Sequence, residues 1–435
     1  MTNPFVQLWK IPDLRKKILF VLALLVVVRI AAHVPVPGVA TQGLKEFFGS
    51  NQILGLLNIF SGGALQNFSV IMLGLGPYIT ASIIFQLLGY IIPSLEELQK
   101  EGEQGQQKIN QWTRLLTVPL ALLQAYATII LLSKTGSKLF GAGATAGTGN
   151  LIGNLTPFQL IAAMVTITAG SMFLMWLGEL ITEKKIGNGI SLLIFAGIVA
   201  QIPMSAQQYI ATFDQTKILS TILFAAIGII TIVAVVFITE GQRNIPVSYA
   251  RRIRGNRVYG GVNTHLPMRV NQAGVIPIIF AISLVVFPSL IAQFLVRTSI
   301  GWLANASQVV INLFNNQIFY GAFYFVLVVA FTYFYTYVIF HPDQIAENLQ
   351  KQGGFIPGIR PGPPTAQYLS RISNRILLTG SIFLGVIAVL PVTLQGVAGK
   401  SFVIGGTSLL IVVSVVIETV KQIESQLVMR DYENL

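Results

Sequence analysis

The sequence predicts an all-α integral membrane protein with ten transmembrane helices arranged as two five-helix halves. Three observations carry this expectation: an apolar composition, a series of ten apolar segments bounded by charge, proline or glycine, and an uneven distribution of basic residues among the connections. Of 435 residues, 53% are hydrophobic and 10% charged, with a mean hydropathy of +0.71. Such a chain has too little polar surface to face water and belongs in a bilayer. Its lack of cysteine excludes disulfides, thiolate metal sites and cysteine nucleophiles.

The first apolar segment, 18–34, follows WKIPDLRKK without a small-residue cleavage site, and reads as an uncleaved span. The others run 70–92, 115–133, 157–181, 187–203, 218–239, 273–296, 318–340, 376–395 and 402–418. Spans two and seven each carry a glycine and proline interruption in an Ile-rich run, LGLGPYITASII around Pro77 and AGVIPIIFAISL around Pro277. Paired breaks in corresponding helices point to an inverted repeat, 1–205 against 206–435, with a pathway between the halves. An even number of spans places both termini on one side. Taking that side as cytoplasmic gives it 21 Lys and Arg against 6 on the other, with Arg29 inside the first span. Basic loops stay in the cytoplasm, so N-in and C-in is the expected orientation.

Two cytoplasmic loops, about 240–272 and 341–375, hold most of the informative charge. The first contains Arg243, Arg251, Arg252, Arg254, Arg257 and Arg269 and no acidic residue between them. Topology needs far fewer charges, and a loop that uses arginine without lysine suits planar, bidentate contact with phosphate or carboxylate on a large partner. The second places Arg360 in GIRPGPP, a stiff turn that holds one guanidinium outward.

Within the spans the informative feature is an absence. No Asp, Glu or Lys falls near the middle of any span; Glu179, Glu240 and Glu418 sit near cytoplasmic ends. A proton- or sodium-coupled transporter keeps an ionisable or dense polar site there. His33, His265 and His341 are scattered and make no metal spacing, and GVAGKS (396–401) lacks the first glycine of a phosphate-binding loop. No catalytic residue, metal or cofactor is expected. The alternative class is an inverted-repeat secondary transporter or lipid-linked flippase, which would need a polar midplane pocket.

The stretch NIFSGGALQNF (58–68) is 11 residues long, against the roughly 20 a helix needs to span. It is too apolar for a solvated loop, so it must be buried in protein or await displacement. As it completes no span, its removal is expected to leave a folded protein.

Five blocks resemble the SecY family of bacterial translocation channels: NIFSGGALQNFSVIMLGLGPYITASIIFQLL, MFLMWLGELITEKKIGNGISLLIFAGIVA, THLPMRVNQAGVIPIIFA, GGFIPGIRPGPPTAQYL and GGTSLLIVVSVVIETVKQIES. They stand in family order between Leu14 and Leu427. The resemblance implies a protein-conducting channel in the bacterial cytoplasmic membrane, with a central pore closed by a short plug half-helix. The plug positions are Asn58, Ile59, Phe60, Ser61, Gly62, Gly63, Ala64 and Leu65. The implied pore ring is Leu75, Ile79, Ile194, Ile279 and Ile411, with Leu75 in place of the family's commoner isoleucine. Thr80, Gln124 and Asn271 match the lateral gate, through which apolar segments leave for lipid. The resemblance also implies SecE-like and SecG-like membrane subunits, and docking of a SecA motor or a ribosome on Arg251, Arg252, Arg254, Arg257 and Arg360. Such a ring explains the missing midplane charge: branched aliphatics offer no ligand to ions or water, so a narrow neck can dewet yet part around a polypeptide.

Overall fold

The computed structural model describes residues 11–37, 58, 61–139, 156–211, 218–249, 252–254, 257–259, 263–296, 300–398 and 406–433. Five helical stretches among them are long and apolar enough to cross a bilayer: Glu103–Ile130, Pro157–Glu183, Thr221–Glu240, Gln317–Lys351 and Pro363–Leu390. A sixth arises if two helices bent by 108° count as one, and Gly189–Met204 and Ile276–Val285 are shorter apolar helices. The chain forms two compact units that interleave in sequence: Met1–Asp214 with Ile282–Asn316 and Val415–Leu435, and Gln215–Ala281 with Gln317–Ser414.

In the first unit, α1 (Pro12–Ala31) starts on Pro12, whose missing N–H would be unpaired in any first turn. α2 (Gly76–Ile91) breaks at Ile92, which precedes Pro93 and is therefore held extended, before α3 (Pro93–Lys100). α4 (Glu103–Leu139) has 37 residues, roughly 55 Å of helix, so it outruns the hydrocarbon core. α5 (Pro157–Glu183) opens with a capping box between Thr156 and Gln159. The tight turn into α6 (Gly189–Ala211) is fixed by Asn188, whose Oδ1 accepts from the N–H groups of Ile190 and Ser191, and by Thr182, whose hydroxyl accepts from Gly189 N–H. α4 packs against α2 and α5, and α5 against α6. α4 and α5 share a core with the chain before α2, which includes Leu65, Phe68, Met72, Ala125, Ile129 and Ile167.

In the second unit, α7 (Ile218–Glu240) leads into β1 (Gln242–Tyr249), β2 (Arg252–Arg254), β3 (Arg257–Tyr259) and β4 (Asn263–Arg269). α8 (Ile276–Leu295) follows; its first turns belong here and the rest, with α9 (Gly301–Asn315), to the first unit. Next come α10 (Gln317–Ile339), α11 (Pro342–Lys351), β5 (Gly354–Phe355) and α12 (Pro363–Ala398); α13 (Gly406–Glu433) starts in the second unit and ends in the first. α10 and α12 run against each other closely enough that a Cβ on Gly385 would lie 2.7 Å from the Phe325 ring.

The glycine and proline interruptions at Pro77 and Pro277 turn out to be helix starts. Gly74 and Gly274 have φ of 58° and 64°, and the proline three residues on is the second helical residue of α2 and of α8. A glycine in the left-handed region turns the chain, and proline then sets φ for the helix without losing a needed donor.

The two basic loops contain a sheet that the sequence reading treats as loop. β1 pairs antiparallel with β4 from Gln242↔Arg269 to Ser248↔Asn263, and on its other side with β5 through Ser248↔Phe355 and Tyr249↔Gly354. The period-two signal is present: Ile245 and Val247 are buried between exposed Asn244 and Pro246, and Met268 between exposed Pro267 and Arg269. Two prolines mask it. Pro246 is tolerated because β1 there has a strand on one side alone.

Candidate functional site

Of the 58–65 segment, Asn58 and Ser61–Leu65 are described, while Ile59 and Phe60 lie outside the described residues. Asn58 is helical and Ser61–Leu65 form a compact series of turns. The Asn58 side chain clamps it: Oδ1 accepts from Gln66 N–H at 2.9 Å and Nδ2 donates to Gln66 Oε1 at 3.0 Å. The Asn58 carbonyl accepts from Gly63 N–H, Ser61 Oγ and, from α6, Gln201 Nε2 at 3.0 Å. Gly62 (φ 67°) presses on α6, where a Cβ would come within 2.9 Å of Gly197 Cα. Gly62 also offers its carbonyl to Arg29 of α1, whose Nη1 donates at 2.6 Å.

Beyond Gly63 the segment changes character. Ala64 is fully buried, Leu65 and Phe68 belong to the core with α4 and α5, and Phe68 sits there at φ 45°, a conformation that tertiary contacts must enforce on a non-glycine residue. Ser69 pairs with Pro35 in an isolated bridge, flanked by hydrogen bonds from Val36 N–H to Phe68 O and Val70 N–H to Val34 O. The part after Ala64 is thus stitched to the chain that follows α1.

All five sequence-predicted ring residues are buried, none above 7% exposed. Leu75 and Ile194 line one cavity with Arg29, Ser61 and Gly62, so two of the expected ring positions face the same space as the short segment. Ile79 faces inward on the second turn of α2. Ile279, on α8, and Ile411, on α13, are buried residues of the other unit.

The three residues expected at a lateral gate differ in how they are satisfied. Thr80 donates to its own helix at Gly76 O, 3.0 Å away. Gln124 on α4 lies beside α2, its Oε1 3.8 Å from where a Cβ on Gly76 would stand. Asn271 is buried, and neither its amide nitrogen nor its oxygen has a partner among the described residues. A buried unpaired carboxamide is costly unless another state of the protein satisfies it.

Among the arginines expected to dock a partner, Arg251 lies outside the described residues. Arg252 and Arg254 are on β2 and Arg257 on β3, a two-stranded ribbon in which Arg254 pairs with Arg257. Arg360 is exposed, on a turn bracketed by Gly358 (φ 81°) and Gly362 (φ 93°). The Thr365 hydroxyl donates to the Arg360 carbonyl at 2.8 Å and ties that turn to the start of α12. The sequence presents the two basic loops as separate features. The β1–β5 pairing joins the two loops in one three-stranded sheet over a core of Ile245, Val247, Met268, Ile356, Leu369 and Ile372, while the β2–β3 ribbon is a separate sheet.

Two further contacts escape the sequence reading. Glu179 pairs with Arg114 at 2.8 Å, bridging α5 to α4. Arg29 reads in the sequence as a lone basic residue in a span, and only its contact with Gly62 reveals a partner. Among the described residues no group of three or more His, Asp or Glu stands together.

The SecY family model matches residues 69–420. Protein translocase subunit SecY of Streptomyces galbus is 46% identical over 443 residues, covering 100% of this chain and 99% of the relative. The same subunit of Mycobacterium tuberculosis is 46% identical over 447 residues with equal coverage. Among solved structures, a protein-conducting channel aligns with TM-score 0.60 at 20% identity, over 93% of this chain and 90% of that one. Sec61 in the canine ribosome–channel complex aligns with TM-score 0.59 at 19% identity, over 94% and 91%. A SecY structure concerned with the plug domain gives 0.58 at 21%, over 93% and 90%. At those identities the likeness is one of fold.

Proposed function

The chain belongs to the SecY family, and on that premise we propose that it is the channel-forming subunit of a bacterial protein translocase, a conduit for unfolded polypeptides and not a catalyst. The observation that carries this reading is the 58–65 segment, seated by polar contacts against α6 beside Leu75 and Ile194. A short element that completes no span, held at an aliphatic lining, suits a stopper that leaves when a polypeptide enters. The ring Leu75, Ile79, Ile194, Ile279 and Ile411 would form the neck, sealing by dewetting and deforming around the passing chain.

In this reading ten spans, in halves 1–205 and 206–435, surround the pore, with both termini cytoplasmic in the bacterial cell membrane. Thr80, Gln124 and Asn271 belong to the lateral gate, where polar contacts between helices contribute only about 1 kcal/mol each and can be exchanged. The unsatisfied carboxamide of Asn271 supports a gate whose partners change between states. Energy comes from outside: a SecA motor or a ribosome binds the loop arginines, and SecE-like and SecG-like subunits brace the channel.

The test is transport by the purified chain, reconstituted with its small subunits in vesicles and supplied with SecA, ATP and a secretory precursor. Protease-protected precursor is the expected product. Vesicles that take up a small solute or lipid-linked substrate but no precursor would overturn the assignment.

A further inference from the structure

We infer that Arg29 is a latch: its guanidinium holds the 58–65 segment in place through the Gly62 carbonyl, and thereby sets how often the segment leaves. The inference rests on reading that segment as the plug.

Arg29 is the basic residue that the charge pattern leaves without a role, inside the first span and outside every docking loop. It lies in the last turn of α1, where a cation complements the helix C-terminus. That placement alone would let the side chain extend to water. Instead Nη1 reaches across 33 residues of sequence to Gly62 O at 2.6 Å, a charge-assisted hydrogen bond to a backbone acceptor. No acidic side chain pairs with it among the described residues. Intramembrane cations are retained where they have a partner or a function, and the partner here is a carbonyl of the segment itself.

The bond acts at the point where the segment is most tightly confined. Gly62 is gripped from one side by the backbone of Gly197 and from another by Arg29, while four residues earlier Gln201 holds the Asn58 carbonyl. Two helices, α1 and α6, therefore grasp the segment through its backbone. When it departs, Arg29 loses its acceptor and is left beside the cavity lined by Leu75 and Ile194, whose aliphatic side chains offer nothing in exchange. Departure is penalised by the loss of one charged hydrogen bond, and removing the cation shifts the population toward the displaced segment.

The chain has no cysteine, so an introduced thiol is a unique label site. Ala64→Cys reports on the segment and Ala125→Cys on the α4–α5 core; both positions are fully buried. With the channel complex in vesicles, Arg29→Gln and Arg29→Met should raise maleimide labelling at position 64 roughly tenfold and raise ion leak, leaving position 125 protected. Arg29→Lys, which keeps a cationic donor, should recover most of the protection. Parental labelling and leak in both the Gln and Met variants would overturn the latch, as would equal rises at 64 and 125, which would mean general loosening of the bundle. Deleting 59–63 separates the two readings. If that deletion raises leak while Arg29→Gln changes nothing, the plug stands and the latch falls; if it leaves the channel tight, the plug reading fails, and labelling at 64 still decides whether Arg29 holds the segment.

Discussion

Gly62 and Gly197 meet backbone to backbone, so closely that a Cβ on Gly62 would lie 2.9 Å from Gly197 Cα. Gly62 also sits at φ 67°, a region that L-residues enter at a penalty. Gly62→Ala is therefore opposed twice, by a contact with backbone that cannot swing away and by strain. The expected result is a poorly seated segment and higher ion conductance across planar bilayers. Gly63→Ala has a similar strain (φ 84°) but meets the movable amide of Gln201 at 3.1 Å, so its leak should be smaller. Equal leak in both variants would remove the Gly197 contact from the explanation.

Phe68 is fully buried and is held at φ 45° among Met72, Ile129 and Ile167. Truncating such a ring costs ~3–5 kcal/mol. Phe68→Ala should lower the thermal unfolding temperature of the purified complex, whereas Gln66→Ala, which strips a half-buried contact of Asn58, should shift it much less. The same asymmetry bears on the expectation that 58–68 is dispensable as a block: removal through Phe68 takes out part of a core, to which Ser61, Gly62 and Gly63 do not belong.

Replacing Ile79, Ile194 and Ile279 together by Asn should hydrate the neck and increase small-ion conductance, while Ile→Val at each position should be tolerated. A polar triple variant as tight as the parent, with normal folding, would contradict the ring assignment.

Arg360→Glu should abolish most precursor transport without altering topology, since 20 of the 21 basic residues on the side proposed as cytoplasmic would remain. Breaking one desolvated, charged hydrogen bond to a docked partner costs about 1.5–3 kcal/mol, measurable as SecA affinity to vesicles. Arg360→Lys keeps the charge but loses the planar fork, and should recover binding only partly. Thr365→Val leaves Arg360 intact yet frees its turn from α12, so it should weaken docking to a lesser degree. Normal transport in Arg360→Glu would eliminate this residue from the docking surface.

Gly354 stands where a Cβ would be 3.0 Å from the Tyr249 ring and 3.4 Å from the Leu349 side chain and carbonyl. Gly354→Val should push β5 off β1 and separate the two basic loops. Partner affinity should fall although no arginine is changed, and protease should cut the 341–375 loop faster.

The membrane class, the apolar segments, the charge asymmetry and the position of the short interrupting stretch are all legible in the sequence, because each is a local quantity: hydropathy over about 20 residues, charge per loop, or a glycine and proline in adjacent turns. Family motifs single out Leu75, Ile79, Ile194, Ile279 and Ile411 as the proposed ring; the structure shows that all five are buried. What holds the 58–65 segment is settled by tertiary structure. Arg29 is 33 residues away and Gln201 is 143 away from their acceptors, and neither carries any local mark of its target. The joining of the two basic loops is hidden in the same way, since Ser248 and Tyr249 find Phe355 and Gly354 about a hundred residues on. Two-residue pairing leaves no periodicity to read, and prolines at 246 and 267 disguise the longer strands. A hydrogen bond to a backbone carbonyl is the extreme case: every residue has that acceptor, so which one an arginine reaches is settled only when the chain has folded.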